Sequence, residues 1–120
     1  MTYSWPVYIV LALFSGLLTA CGTGFMYPLH QAAAQGDQAT ARLLIDRGDN
    51  VNEKNVSGWT PLMTAAFAGN VRITTMLLEH GADPALTNTA GQTALDLARQ
   101  QDHTLVSELL ERRLAQQGTR

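Results

Sequence analysis

Charged side chains are missing from the first 36 positions of the sequence: no Asp, Glu, Lys or Arg precedes Asp37. Beyond that point both signs are scattered, and the 120-residue chain has a formal net charge of −2. Long blocks of like charge are absent too, since the nearest one, ERR at 111–113, is typical of a solvated helix end. Nucleic-acid-binding domains usually carry a basic face, so we expect no nucleic-acid partner. The charge boundary indicates two segments with different tasks.

Cysteine is almost absent, because Cys21 is the only one in the chain. A single cysteine excludes an intramolecular disulfide and a cysteine-based zinc site. Before it lies an apolar run at 7–18, VYIVLALFSGLL, broken only by Ser15 and Gly16. As a helix this run would be about 20 Å long, well short of the roughly 30 Å hydrocarbon core of a membrane. Its length fits the hydrophobic region of a secretory signal.

The four residues LTAC at 18–21 resemble the lipobox of bacterial lipoproteins. The resemblance implies that residues 1–20 are a signal peptide, that Cys21 becomes the first residue, and that it carries acyl chains such as palmitate. Several chains hold a protein firmly on a bilayer, since each buried methylene contributes about 0.8 kcal/mol. Gly22 is not the Asp of the inner-membrane retention signal, so the predicted location is the periplasm, with the anchor in the outer membrane.

One feature departs from a signal peptide. The residues before the apolar run, MTYSWP, contain no Lys or Arg, whereas signals usually carry at least one. Two alternatives therefore remain for this segment: a short uncleaved membrane anchor, or a buried core helix with an incidental cysteine.

The charged part of the chain contains an internal repeat. The segments YPLHQAAAQGD (27–37), TPLMTAAFAGN (60–70) and TALDLARQQDH (93–103) align with a shift of 33 residues. Three copies with this content resemble ankyrin repeats. The resemblance implies an all-α solenoid of three helix-turn-helix repeats, at about 27–55, 56–88 and 89–115, in a domain at 27–120. This domain would follow a signal-peptide helix and a tether at 21–26.

The second copy shows why such a segment folds into two helices. Thr60 can cap a first helix that begins at Pro61, where the missing N–H of proline has no cost. Gly69 tolerates the left-handed backbone that ends it. Asn70 is expected to cap a second helix that runs through His80. The residues between copies are rich in turn formers and predict a loop or β-turn.

The first and third copies depart from this pattern, as terminal repeats do. Tyr27 stands where Thr60 stands and is a poor cap, and Asp102 occupies the position of Gly69. Thr93 and Asp96 still predict a capping box at the first helix of the third copy.

Motifs of known enzymes and phosphate-binding loops are absent from the sequence. His30, His80 and His103 occupy different positions of the repeat, which favours structural roles over a metal site. We therefore expect no enzyme, no cofactor and no metal. The rival hypothesis is an enzyme or a ligand-binding groove, and it would require these histidines to cluster with carboxylates.

Partner binding is what the ankyrin resemblance implies, through the loop tips and the first helix of each repeat. Trp59 and Phe67 are the prominent residues, because large aromatic side chains dominate interface energetics. The alternative is that Trp59 packs on its own hairpin and Phe67 on a neighbouring helix. The other residues at these positions are smaller or amide-bearing: Ala34, Gln35, Lys54, Val56, Ser57, Ala68, Thr87, Thr89, Ala90, Gln92, Gln100 and Gln101.

The sequence thus predicts a membrane-tethered periplasmic ankyrin-repeat lipoprotein that is monomeric by itself and binds another protein. Residues 22–26 reach at most about 18 Å, which would keep the domain near the bilayer. The partner is expected to be a periplasmic enzyme that the protein binds or regulates. The alternative is an antibacterial toxin aimed at the periplasm, which the protein would neutralise as an immunity protein. A third hypothesis is a purely architectural spacer.

Overall fold

The computed structural model describes residues 27–118, and in this range the chain forms helices and no strand. The six helices are α1 (Pro28–Gln35), α2 (Gln38–Asp46), α3 (Pro61–Ala68), α4 (Val71–Glu79), α5 (Ala94–Gln100) and α6 (Thr104–Gly118). Consecutive helices form three pairs. The first helices pack side by side in the order α1, α3, α5, and the second helices in the order α2, α4, α6. The all-helical repeat prediction is confirmed, while the signal peptide, Cys21 and the tether lie outside the described residues.

The starts of α3 and α5 follow from their threonines. The Thr60 hydroxyl accepts a hydrogen bond from the Met63 amide at 3.3 Å. At α5 the capping box is complete, because Thr93 and Asp96 exchange side-chain and backbone bonds of 3.2 and 3.0 Å. Tyr27 gives α1 no such side-chain bond. These three helix starts agree with the predictions from sequence.

The residue at the end of each first helix is determined by its backbone conformation and by the space that side chains of the next repeat leave. Gly36 and Gly69 are left-handed, with φ of 74° and 77°. A Cβ at Gly69 would lie only 2.7 Å from the ring of His103, so this position is crowded as well as left-handed. Asp102 stands at the matching place with φ 57° and is the one non-glycine residue in the range 27–118 with a positive φ. No further helix pair packs there among the described residues, which removes the steric requirement.

The core consists of the repeated leucines and alanines together with apolar residues of the second helices. Ala33 and Ala66 are fully buried where the next repeat packs on them. At the matching position of the third repeat, Arg99 is exposed and pairs with Glu111. The third repeat therefore has an exposed charged residue at the position where the first and second repeats have a buried alanine.

Asn70 behaves differently from the expectation. It stands at the start of α4, but its side chain makes no capping bond. The amide Nδ2 instead donates to the Ala33 carbonyl of the preceding repeat at 2.5 Å. The prediction that its side chain caps α4 is wrong, because the carbonyl at the end of the neighbouring helix lies within reach. Asp37 at the matching place of the first repeat does cap its own helix, through the Thr40 amide at 3.1 Å.

Candidate functional site: the inner face

Each loop between repeats is folded around one asparagine. The Asn55 Oδ1 accepts from the amides of Ser57 and Trp59, both at 3.0 Å. In the next loop, Asn88 Oδ1 accepts from Ala90 and Gln92, both at 2.9 Å. Sequence reasoning missed these asparagines, although they lie one repeat apart and each precedes a glycine by three residues. They fix the tips on which several predicted contact residues lie.

The two loop tips are bonded to each other. The Ser57 carbonyl accepts from the amide and the hydroxyl of Thr89, at 3.3 and 3.1 Å. The Lys54 ammonium donates to the Thr87 carbonyl at 2.8 Å. Neighbouring tips therefore form one connected surface, and the charge of Lys54 is engaged within it.

Trp59 and Phe67 lie against each other. Their ring centroids are 5.4 Å apart and their planes meet at 70°, the edge-to-face arrangement that aromatic pairs favour. Trp59 is half-buried and packs on the core, whereas Phe67, in the last turn of α3, is 39% exposed. Neither of the two alternatives drawn from the sequence anticipated this mutual contact.

Both aromatic residues are held at their backbone carbonyls by histidines. His30 Nε2 donates to the Trp59 carbonyl at 2.7 Å, and His103 Nε2 donates to the Phe67 carbonyl at 3.0 Å. Because a carbonyl only accepts, Nε2 carries the proton in both rings. His80 donates from Nδ1 to the Met76 carbonyl at 2.8 Å. All three histidines thus have structural contacts, as expected from the sequence.

The imidazole of His30 is buried, and its Nδ1 has no hydrogen-bond partner. Burial lowers the pKa of His30 below its ordinary value, although the hydrogen bond to the Trp59 carbonyl and the nearby Glu53 partly oppose this shift. The neutral ring is therefore the form that fits this site.

Among the remaining predicted contact residues, some have exposed side chains, whereas Gln92 is hydrogen-bonded within its own loop. Gln35, Gln100 and Gln101 are exposed at the ends of α1 and α5. Val56 is 87% exposed at the first loop tip. Gln92 is half-buried, and its Oε1 accepts from Asn88 Nδ2 at 3.1 Å, so it braces its own loop.

We call the surface formed by the loop tips and the exposed ends of the first helices the inner face. Its members are Ala34, Gln35, Lys54, Val56, Ser57, Trp59, Phe67, Ala68, Thr87, Thr89, Ala90, Gln92, Gln100 and Gln101.

Two features are absent from residues 27–118. This range contains no group of three or more His, Cys, Asp or Glu side chains that could hold a metal ion. Within the same range, no helix combines the length and the apolar character needed to cross a membrane.

Comparison with known proteins decides the family. A family model for ankyrin repeats in three copies matches residues 10–88 and again residues 29–119. The chain belongs to the ankyrin-repeat family. Proteins of this family are generally non-enzymatic interaction modules, and the matches indicate no enzyme family. Ankyrin repeats imply a protein–protein interaction module.

Individual relatives cover different shares of this ankyrin-repeat chain. Protein phosphatase 1 regulatory subunit 12A of Mus musculus is 43% identical over 70 residues, which is 58% of this chain and 7% of that protein. Ankyrin repeat family A protein 2 of Bos taurus is 37% identical over 76 residues, 63% of this chain and 24% of the relative. Putative ankyrin repeat protein YahD of Escherichia coli (strain K12) is 36% identical over 100 residues, 79% of this chain and 44% of the relative. The chain spans less than half the length of each.

Proposed function

We propose that this ankyrin-repeat protein is a lipid-anchored periplasmic module that binds and regulates an enzyme through its inner face. The edge-to-face pair of Trp59 and Phe67 is the observation that carries the proposal. Phe67 keeps more than a third of its surface exposed although it is a large apolar residue. A partner that covers this pair removes apolar surface from water, which is the main favourable contribution to association.

The inner face is suited to binding because its parts are already fixed. The Asn55 and Asn88 bonds shape the loops, and Thr89 ties one tip to the next. A surface that is ordered before the partner arrives loses less conformational entropy on association. Apart from Lys54, the residues that form this face are uncharged, so the proposed contact is apolar and amide-rich.

Regulation of an enzyme has support from one relative. Protein phosphatase 1 regulatory subunit 12A is, by its name, a regulatory subunit of a phosphatase, and this chain matches a 70-residue part of it at 43% identity. We extend the general role, not the phosphatase, to this chain. The partner we propose is a periplasmic enzyme whose surface offers an apolar segment to Trp59 and Phe67.

The binding proposal is tested with Phe67→Ala in the full chain. Partners are captured from membranes by crosslinking and identified by mass spectrometry, and the affinity of the purified partner is then measured by titration. Loss of a central aromatic contact costs about 2 kcal/mol, so we expect the dissociation constant to rise about 30-fold or more.

Two exposed leucines outside the inner face provide matched controls. Leu43 on α2 is 67% exposed and Leu105 on α6 is 68% exposed. Leu43→Ala and Leu105→Ala remove similar apolar surface and should leave the affinity unchanged. Binding that survives Phe67→Ala would contradict the proposal and favour a spacer. A captured toxin, held with nanomolar or tighter affinity, would replace regulation by immunity.

The membrane anchor is proposed on the sequence LTAC at 18–21. We expect a clickable fatty acid to label the protein at Cys21, Cys21→Ser to abolish labelling, and globomycin to block processing. Intact mass should show a mature chain that begins at Cys21. A mature chain that retains residues 1–20 would contradict the anchor, and it would agree with the family match that begins at residue 10.

A further inference from the structure

The aromatic pair belongs to the second repeat, but it is held by the first and third. His30 in α1 donates to the Trp59 carbonyl at 2.7 Å, and His103, which precedes α6, donates to the Phe67 carbonyl at 3.0 Å. The side chains of Trp59 and Phe67 meet between these two attachment points. One repeat thus supplies the two rings, and each neighbouring repeat supplies one hydrogen bond to their backbone.

The bond to Phe67 satisfies a carbonyl that the helix itself leaves open. Phe67 lies in the last turn of α3, where carbonyls lack an amide four residues later in the helix. The ring of His103 reaches it because Gly69 has no side chain, since a Cβ there would lie 2.7 Å from the ring. This contact therefore requires both His103 and Gly69.

The bond to Trp59 has no equivalent in the other repeats. The positions that match His30 are Met63 and Asp96. Met63 has no N–H donor in its side chain, and Asp96 completes the capping box of α5. Of the two loops between repeats, only the one that carries Trp59 accepts a bond from a histidine.

We propose that His30 and His103 are positioning residues for the Trp59–Phe67 pair. Each histidine fixes the backbone from which a ring projects, and together they hold the edge-to-face geometry on the inner face. The importance of this geometry for partner binding rests on the function proposed above, whereas the positioning itself does not.

Trp59 provides a spectroscopic test in the full chain. The chain has two tryptophans, so Trp5→Phe leaves Trp59 as the sole emitter. In this background, Phe67→Leu identifies the part of the near-UV circular dichroism that arises from the ring pair. We expect His103→Ala to remove that part and to shift the Trp59 emission to longer wavelength.

His103→Asn is the conservative variant. An asparagine already donates to a carbonyl of the preceding repeat from the matching position, at Asn70. That carbonyl, of Ala33, matches Ala66 and not Phe67 in the next repeat, so we expect His103→Asn to keep a bond between the repeats without restoring the signal of the ring pair. Asn70→Ala is the matched control, because it breaks a bond of the same kind that ends on Ala33 instead of an aromatic residue. It should lower stability and leave the ring signal intact.

His30 is tested with two variants that preserve its volume. His30→Met introduces the residue found at the matching position of the second repeat and lacks a donor, so the ring signal should be lost. His30→Gln keeps an N–H donor and should retain the signal. The proposal is overturned if the donor-free variants keep the ring signal, or if Asn70→Ala removes it equally.

The measurement needs no partner. An unchanged ring signal would therefore refute the positioning role and leave the proposed function standing. Conversely, a Phe67→Ala protein that still binds its partner would refute the function without affecting the spectroscopic result.

Discussion

His30 shows how much one side chain depends on its surroundings. The ring is buried between α1 and the loop that carries Trp59, with one nitrogen bonded and Nδ1 without a partner. Protonation would place a charge in this site, which is unfavourable in a buried environment. Of the three histidines in the described range, His30 is the buried one, whereas His80 and His103 are more exposed.

We expect the protein to lose stability on acidification because of His30. The pKa of His30 is lowered in the folded state, whereas in the unfolded chain it is close to 6.5. Well above pH 6.5 the ring is neutral in both states and has no effect. As the pH falls below this value the unfolded state takes up the proton first, and the free energy of unfolding decreases.

Urea unfolding at several pH values between 5 and 8 measures this effect. His30→Gln removes the titrating group and should flatten the pH dependence in this range. Equal slopes for the native protein and His30→Gln would show that burial of His30 does not couple to folding.

At the scale of the helices, the ends of α1, α3 and α5 show the influence of the neighbouring repeat. Gly36 and Gly69 each face a side chain of the following repeat, Asn70 and His103 respectively. Asp102 takes the same left-handed backbone with no such neighbour among the described residues. At the ends of α1 and α3 both space and conformation favour glycine, whereas the end of α5 has only the conformational demand, which Asp102 meets.

Asp102→Gly should stabilise the protein. A left-handed backbone strains an aspartate more than a glycine, although glycine gains entropy in the unfolded state. We expect a net increase of about 0.5 kcal/mol in the free energy of unfolding, measured by denaturant titration. Gly69→Ala is the contrasting variant, since its Cβ would collide with His103, and it should destabilise. A destabilised Asp102→Gly protein would show that the Asp102 side chain has a stabilising role.

At the scale of the whole molecule, stability comes from the contacts between stacked repeats. Ala33 and Ala66 are fully buried at the two junctions, while Arg99 is exposed beyond the second junction. Stacked repeats contact only their neighbours, so the interfaces between them carry much of the folding energy. Small residues at both junctions let the first helices approach closely.

Leucine introduced at the equivalent positions 66 and 99 distinguishes the effect on a packed junction from the effect on an exposed surface. Ala66→Leu should destabilise by about 1–3 kcal/mol, because extra methyl groups do not fit a packed junction. Arg99→Leu removes only an exposed ion pair, and such pairs contribute about 1 kcal/mol or less. Thermal unfolding of both variants measures the difference. Equal losses would mean that the junction at Ala66 can expand.

Much of the fold could be predicted from the sequence because the signals are local. Thr60, Pro61 and Gly69 define α3 by hydroxyl capping, fixed φ and left-handed tolerance, and the structure has the helix between them. The site was predictable only in part. The inner-face positions followed from the repeat register, but the contact between Trp59 and Phe67 depends on how the loop lies over α3.

The sequence by itself determined the three repeats of residues 27–118, the start and end of most helices in this range, and the family, because turn residues and caps act within a few positions of the chain. The tertiary structure decided which carbonyl each side chain reaches. Asn70 is expected from the sequence to cap its own helix, and His103 stands at the matching position of the third repeat, yet both donate to a neighbouring repeat. The distance between stacked helices cannot be read from the local sequence. That distance determines which carbonyl groups lie within hydrogen-bonding reach of these two side chains.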